Sequence, residues 1–113
     1  MITSPNKLKD FIISLLENKD AQNINVLELV EESSLANYII FSSGRSTKNI
    51  SSIAGYILQE LKHVTHVPVL VEGLNNSGWV FIDIEDVIVH IFHPETRERI
   101  RLEELWISKE AKN

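Results

Sequence analysis

The sequence contains no cysteine, which excludes disulfide bonds and thiolate chemistry. Glycine is also scarce, with 4 residues in the chain, and no stretch holds enough of it for a phosphate-cradling loop. Basic residues are outnumbered by acidic ones. The net charge of −5 argues against sequence-independent nucleic-acid binding, which needs a basic surface, but is compatible with a basic protein partner.

Long apolar runs are missing as well. No stretch is long enough to cross a membrane, and the N-terminus lacks the basic segment and apolar run of a secretory signal. An Arg-rich presequence is also absent, which favours a bacterial over an organellar protein. We therefore expect a cytoplasmic protein that neither contacts a membrane nor reads nucleic acid directly.

The apolar residues of the chain are sufficient for one modest hydrophobic core. The chain has 113 residues, of which 43% are apolar, and this predicts a single domain over residues 1–113 that folds alone or as a dimer. The polar residues 107–113 are expected to form a frayed tail.

Residues 78–93 are the most regular part of the sequence. Two apolar runs, 79–84 and 87–92, flank the acidic pair Glu85 and Asp86, and so short a separation allows only an antiparallel hairpin. Because side chains alternate along a strand, one face of this hairpin is aliphatic and the other is mixed. The mixed face holds Trp79, Phe81, Asp83, His90 and Phe92. We expect helices or a partner to cover it.

Helices and strands around this hairpin follow from apolar spacing. One helix is predicted to begin at Ser4 and Pro5 and another at Ser46, with both serines as N-caps. Residues 24–30, 38–41 and 69–71 are predicted strands, the last two parallel and joined by the second helix. Residues 96–100 and 102–106 are predicted to be helical. The fold class is α/β, a single-domain sandwich with a mixed sheet of about five strands flanked by helices.

Two histidine pairs, His63 with His66 and His90 with His93, have a spacing that on a helix could share a metal ion. One pair lies where a helix ends and the other on a predicted strand, and no cysteine completes either set. Helix capping and exposed polar residues explain them better, so no metal or other cofactor is assigned. Residues 43–46 similarly suit a helix N-cap in a tight turn better than an anion site.

Asp83, Glu85 and Asp86 could hold a divalent cation for phosphoryl chemistry. With the helix start Gly44-x-Ser46 they are weakly similar to nucleotidyltransferases, whose carboxylates lie close to a glycine loop. The simpler explanation is a solvated hairpin tip, because no third catalytic carboxylate and no activated nucleophile can be placed. We therefore assign no catalytic residue and expect no enzyme. A metal-dependent, nucleotidyltransferase-like enzyme is the alternative function.

An apolar surface with aromatic anchors is the remaining candidate site. Its aromatic residues are Trp79, Phe92 and Trp106, framed by Asp83, His90, Glu103 and Glu104. Both tryptophans could instead be core residues. Aromatic anchors among carboxylates also suit an interface with a basic protein.

Several motifs together resemble the Iojap family of ribosomal silencing factors. The most specific are GWVFIDIEDVIVH at residues 78–90, then Arg97, then LEELW at residues 102–106. Residues 36–46, 53–54 and 71–73 also fit the family pattern, and the resemblance as a whole covers roughly residues 5–107. The chain departs from the pattern at Asn37, Glu85, Arg99 and Ile100. Glu85 stands where the family usually has glycine, so the hairpin turn is expected to differ locally.

The resemblance implies a nucleotidyltransferase-like fold without that enzyme activity. Family members bind the large ribosomal subunit at its intersubunit face, through the fourteenth protein of the large-subunit series. They thereby block subunit joining and repress translation under nutrient limitation; they often form homodimers, and organellar relatives act in large-subunit assembly. The implied ribosomal-protein-binding residues are Trp79, Asp83, His90, Phe92, Arg97, Leu102, Glu103, Leu105 and Trp106.

Overall fold

The computed structural model describes residues 1–29, 36–75 and 78–105, and these form three helices and one five-stranded sheet. The helices are α1 (Pro5–Asn18), α2 (Thr47–Leu61) and α3 (Pro94–Ile100). The strands are β1 (Gln22–Glu28), β2 (Tyr38–Ser43), β3 (Leu70–Glu72), β4 (Trp79–Ile84) and β5 (Val87–Phe92). The predicted fold class, a mixed sheet of about five strands flanked by helices, is confirmed.

The strands lie in the order β1-β2-β5-β4-β3. β2 and β5 pair in parallel, and every other neighbouring pair is antiparallel. β2 and β3 therefore point in the same direction, as predicted, although β5 and β4 lie between them. The crossover through α2 carries the chain to the far edge of the sheet, where β3 pairs with one arm of the hairpin.

The predicted helix starts are confirmed at atomic detail. The hydroxyl of Ser4 accepts a hydrogen bond from the amide of Lys7 at 3.4 Å, and that of Ser46 accepts one from Asn49 at 3.0 Å. Each cap satisfies an amide that has no partner within its helix. α3 begins at Pro94, and its cap is Nδ1 of His93, which accepts from the amide of Glu95 at 3.3 Å.

α3 ends at Ile100. The next residue, Arg101, caps it with a φ of 53° in the left-handed region, and residues 102–105 then form a further helical turn. This break separates the two helical segments that the sequence predicted. Trp106 and the predicted tail at residues 107–113 lie outside the described residues.

The larger part of the core lies between one face of the sheet and the helices α1 and α2. From the hairpin it takes the aliphatic face predicted by alternation, namely Val80, Ile82, Ile84, Val87, Val89 and Ile91. The helices contribute their apolar stripes, namely Leu8, Ile12, Leu15, Leu16, Ile50, Ile53, Ala54, Ile57 and Leu61. Burying this face against the helices leaves the mixed face of the hairpin, which we call the aromatic face, on the opposite side of the sheet.

Two edge strands differ in extent from their predicted positions. β1 covers Gln22–Glu28 rather than residues 24–30, and its register with β2 shifts between Gln22 and Asn25, where Asn23 has a φ of 51°. β3 is displaced by one residue, to Leu70–Glu72. Edge strands have a neighbour on one side only, so their ends are set by pairing rather than by apolar content.

Candidate functional site

A groove of about 710 Å³ lies on the aromatic face of the sheet, opposite α1 and α2. Its lining is mostly apolar and comes from β2, β3, β4, β5 and the segments next to β3 and α3. We call it the aromatic groove. It is lined by Ile39, Pro68, Leu70, Trp79, Phe81, Asp83, Glu85, Ile88, His90 and Leu102.

His90 lies at the centre of the groove floor because its strand, β5, is flanked on both sides. It pairs with Phe41 of β2 and with Phe81 of β4. Its ring stacks on Phe41 at a centroid distance of 5.4 Å and on Phe92 at 5.7 Å. Strand alternation places all these rings on one face, which is why the predicted mixed face forms one continuous aromatic surface.

Trp79 holds the His90 ring in place. The indole Nε1–H of Trp79 donates to Nδ1 of His90 at 2.9 Å, and the indole ring stacks on Phe92 at 5.2 Å. His90 is 5% exposed, and burial lowers its pKa to about 4. The histidine is therefore uncharged at neutral pH, since burial disfavours its charged form.

The groove has an acidic end at the hairpin turn. Asp83 and Glu85 both line it, and Oδ1 of Asp83 accepts a hydrogen bond from the amide of Glu85 at 3.0 Å. Glu85 has a φ of 56°, a conformation that favours glycine. The turn thus uses a backbone conformation that glycine would adopt without strain, at the position where the resemblance expects that residue.

Arg97 and Glu103 form a second polar cluster beside the groove. Nε of Arg97 donates to Oε1 of Glu103 at 2.6 Å, and its Nη1 donates to the hydroxyl of Ser43 at 2.8 Å. The other carboxylate oxygen of Glu103 accepts from the amide of Asn25 at 2.9 Å. Burial raises the pKa of Glu103, but the hydrogen bonds from Arg97 and Asn25 outweigh it and hold that pKa below its ordinary value.

The structure brings four of the predicted binding residues together in the groove lining: Trp79, Asp83, His90 and Leu102. Phe92 is fully buried beneath Trp79, so it supports the groove without lining it. Arg97 and Glu103 fix the segment that carries Leu102. Leu105 is exposed and does not line the groove, and Trp106 lies outside the described residues.

The prediction of binding residues omitted several lining residues, above all Leu70, which is 66% exposed. Leu70 reaches the groove because β3 pairs with β4 and sets Leu70 opposite Asp83. The signal in the sequence was the short apolar run after Pro68, but nothing in that run specifies which strand it pairs with. Phe81 was predicted to lie on this face, as it does, and was omitted from the binding residues.

The alternative, enzymatic interpretation meets a geometric obstacle. Gly44 follows the end of β2, next to the end of β5 at Phe92, whereas Glu85 precedes the start of β5. The length of β5 therefore separates Gly44 from Glu85 by about 17 Å. Within residues 1–29, 36–75 and 78–105, no group of three or more His, Asp or Glu side chains is arranged to hold a metal ion.

Over the described parts of the chain, no helix is both long enough and apolar enough to cross a bilayer.

A family model described as "Ribosomal silencing factor during starvation" matches residues 2–113 of the chain. Ribosomal silencing factor RsfS of Zymomonas mobilis is 32% identical over 102 residues, which cover 90% of this chain and 77% of the relative. The mouse protein "Mitochondrial assembly of ribosomal large subunit protein 1" is 31% identical over 86% of this chain, a match that covers 44% of the mouse protein.

Solved structures show the same architecture. A crystal structure of a protein from Chromobacterium violaceum superposes with a TM-score of 0.85 at 27% identity, over 92% of this chain and 87% of the other. A second, from Bacillus halodurans, gives a TM-score of 0.74 at 28% identity, over 89% and 94% of the two chains. The described fold is therefore shared with these proteins.

Proposed function

The chain belongs to the family of ribosomal silencing factors, and we propose that it binds the large ribosomal subunit at its intersubunit face. The bound protein prevents the small subunit from joining and so represses translation when nutrients are scarce. Its mechanism is steric and requires no catalysis. The name of the mouse relative, which refers to assembly of the large ribosomal subunit, supports the choice of subunit.

The observation that carries this proposal is the aromatic groove. It is an open, mostly apolar depression with Trp79 and Phe81 in its lining and Leu70 exposed at its edge. Aromatic and apolar residues in a partly open depression are typical anchors for a protein partner. Exposed apolar surfaces of this kind mark sites where another molecule binds.

The charge of the molecule suits a ribosomal protein as the partner. The chain has a net charge of −5, and Asp83 and Glu85 line one end of the groove. Ribosomal proteins are basic, so the field of this chain attracts them and disfavours direct contact with RNA phosphates. We propose the fourteenth protein of the large-subunit series as the partner, the cytoplasm as the compartment, and a homodimer as a further state of the free protein.

The test is sedimentation of the purified protein with ribosomal particles, followed by a subunit-joining assay. We expect co-sedimentation with free large subunits, none with joined ribosomes, and fewer joined ribosomes when the protein is added before the small subunit. Equal sedimentation with large and small subunits, or unchanged joining at saturation, would contradict the proposal. Mg²⁺-dependent nucleotide turnover by the purified protein would favour the enzymatic alternative instead.

A further inference from the structure

His90 has one ring nitrogen that the fold uses and one that it does not. Nδ1 accepts the hydrogen bond from the indole N–H of Trp79 at 2.9 Å. Because an indole N–H can only donate, Nδ1 carries a lone pair and the ring hydrogen of the neutral imidazole resides on Nε2. Among the residues that the structure describes, none accepts a hydrogen bond from this Nε2–H.

This situation is unusual for a buried group. His90 is 5% exposed, and its side chain forms part of the groove lining. Buried polar groups nearly always have a hydrogen-bond partner, since leaving a donor without one costs the free energy of its desolvation. A donor at the floor of an open groove can obtain that partner from a molecule that enters the groove.

We propose that the Nε2–H of His90 is the recognition donor of the aromatic groove. It binds a neutral carbonyl oxygen of a protein segment that inserts an apolar side chain beside Trp79 and Phe81. The inference rests on the proposed function and adds the chemistry by which the ribosomal partner is recognised.

The choice of a neutral oxygen follows from the charges around the groove. Asp83 and Glu85 line one end, so a carboxylate or a phosphate that entered would be repelled. Burial also keeps the imidazole uncharged, which removes the attraction that a charged donor would have for an anion. A backbone carbonyl satisfies both conditions, and the apolar lining accommodates the side chain next to it.

The ring is fixed before any partner arrives. Phe41 and Phe92 stack against it with interplanar angles of 11° and 14°, and Trp79 fixes its rotation through Nδ1. Binding therefore does not have to order the donor, which reduces the entropic cost of forming the new hydrogen bond.

Two substitutions distinguish the acceptor role of Nδ1 from the donor role of Nε2. In His90→Asn the amide oxygen can replace Nδ1 as the acceptor for Trp79, while the donor at the Nε2 position is lost. In His90→Gln the longer amide can place an N–H near the Nε2 position. We expect His90→Asn to weaken binding to purified large subunits about tenfold, the loss of one hydrogen bond. His90→Gln should restore most of that affinity, although it gives up the acceptor for Trp79.

Thermal melts of both variants control for folding. If binding follows stability, so that the less stable variant also binds less well, the role of His90 is structural and the inference is overturned. Equal binding by wild type and both variants overturns it too, and leaves the proposed function intact. Failure of the wild type to bind large subunits contradicts the proposed function itself.

A measurement on the unchanged protein avoids the question of folding. The imidazole N–H of His90 is followed by ¹H–¹⁵N NMR in free protein and after addition of the isolated fourteenth large-subunit protein. We expect the Nε2–H signal to shift and to become protected from solvent exchange. An unchanged Nε2–H signal alongside a shifted Trp79 indole signal would show that the groove is occupied without this hydrogen bond. Loss of subunit binding in His90→Asn with undiminished binding to the isolated protein would place the acceptor on RNA and overturn the assignment to a protein carbonyl.

Discussion

Arg97 and Glu103 form an ion pair at 2.6 Å that ties α3 to the helical turn carrying Leu102. Their side chains are 13% and 23% exposed, and both oxygens of the carboxylate are occupied, by Arg97 and by Asn25. A carboxylate with both oxygens bound inside its own chain is poorly placed to meet a cation of the partner. The contacts therefore support a bracing role for Glu103 in its own helical segment, over the partner-binding role that the resemblance implies.

This arrangement predicts that Glu103→Lys destabilises the fold. The change removes two hydrogen bonds to a charged acceptor and sets a second cation beside Arg97, at a cost of about 1–3 kcal/mol. Chemical denaturation measures it. Glu104→Lys is the matched control, because the Glu104 side chain is 71% exposed and 3.9 Å from Arg101, a geometry that contributes about 0–1 kcal/mol. Equal losses in the two variants would show that Glu103 has no bracing role.

Gly55 offers a stabilising substitution. It lies in α2 on the exposed side, and a Cβ added there would meet no heavy atom within 4 Å. Gly55→Ala should therefore raise the free energy of unfolding by about 1 kcal/mol, the difference in helix propensity. Gly44→Ala is the opposite case, since its Cβ would lie 2.7 Å from Cγ1 of Ile50. Denaturant titrations of both variants should give changes of opposite sign, and a destabilising Gly55→Ala would contradict the exposed placement of that residue.

The parts of the fold that the sequence predicts well are those determined by near neighbours in the chain. Alternation in residues 79–84 and 87–92 predicts the hairpin and both of its faces, because side-chain direction depends only on position along the strand. The serine caps at Ser4 and Ser46 are equally local. The sequence predicts the candidate site only in part, since four of the predicted binding residues lie in the groove lining.

What could not be predicted depends on which distant segments meet. Leu70 enters the groove because β3 pairs with β4 at the far edge of the sheet, and a three-residue strand carries little pairing information. The contact of Glu103 with Asn25 joins residues 78 positions apart, which no local pattern reveals. The left-handed conformation of Glu85 is a local feature that was missed for a different reason, because a glycine normally marks such a position and this chain has a glutamate there.

His90 predicts a pH dependence of stability. Burial lowers its pKa from 6.5 to about 4 in the folded protein, so between those values the unfolded chain binds a proton that the folded one does not. Stability therefore falls as the pH is lowered from about 6.5 towards 4, by about 2–3 kcal/mol. Unfolding free energies of wild type and His90→Gln across this range measure the effect. The variant should lose less stability, and parallel curves would show that other groups are responsible.

Leu70 provides the most direct test of the groove as a docking surface. Its side chain is 66% exposed at the edge of the sheet, so Leu70→Ser should leave folding nearly unchanged while removing an apolar contact for the partner. We expect binding to large subunits to weaken about tenfold, equivalent to roughly 1–2 kcal/mol of lost apolar burial. Val26→Ser is the matched control, because Val26 is also apolar, is 41% exposed, and lies on β1 at the opposite edge of the same sheet. If the partner binds in the groove, Leu70→Ser weakens binding and Val26→Ser does not, while the melting temperatures of the two variants remain close. If Val26→Ser weakens binding and Leu70→Ser does not, the docking surface lies at the β1 edge and the aromatic groove has another role.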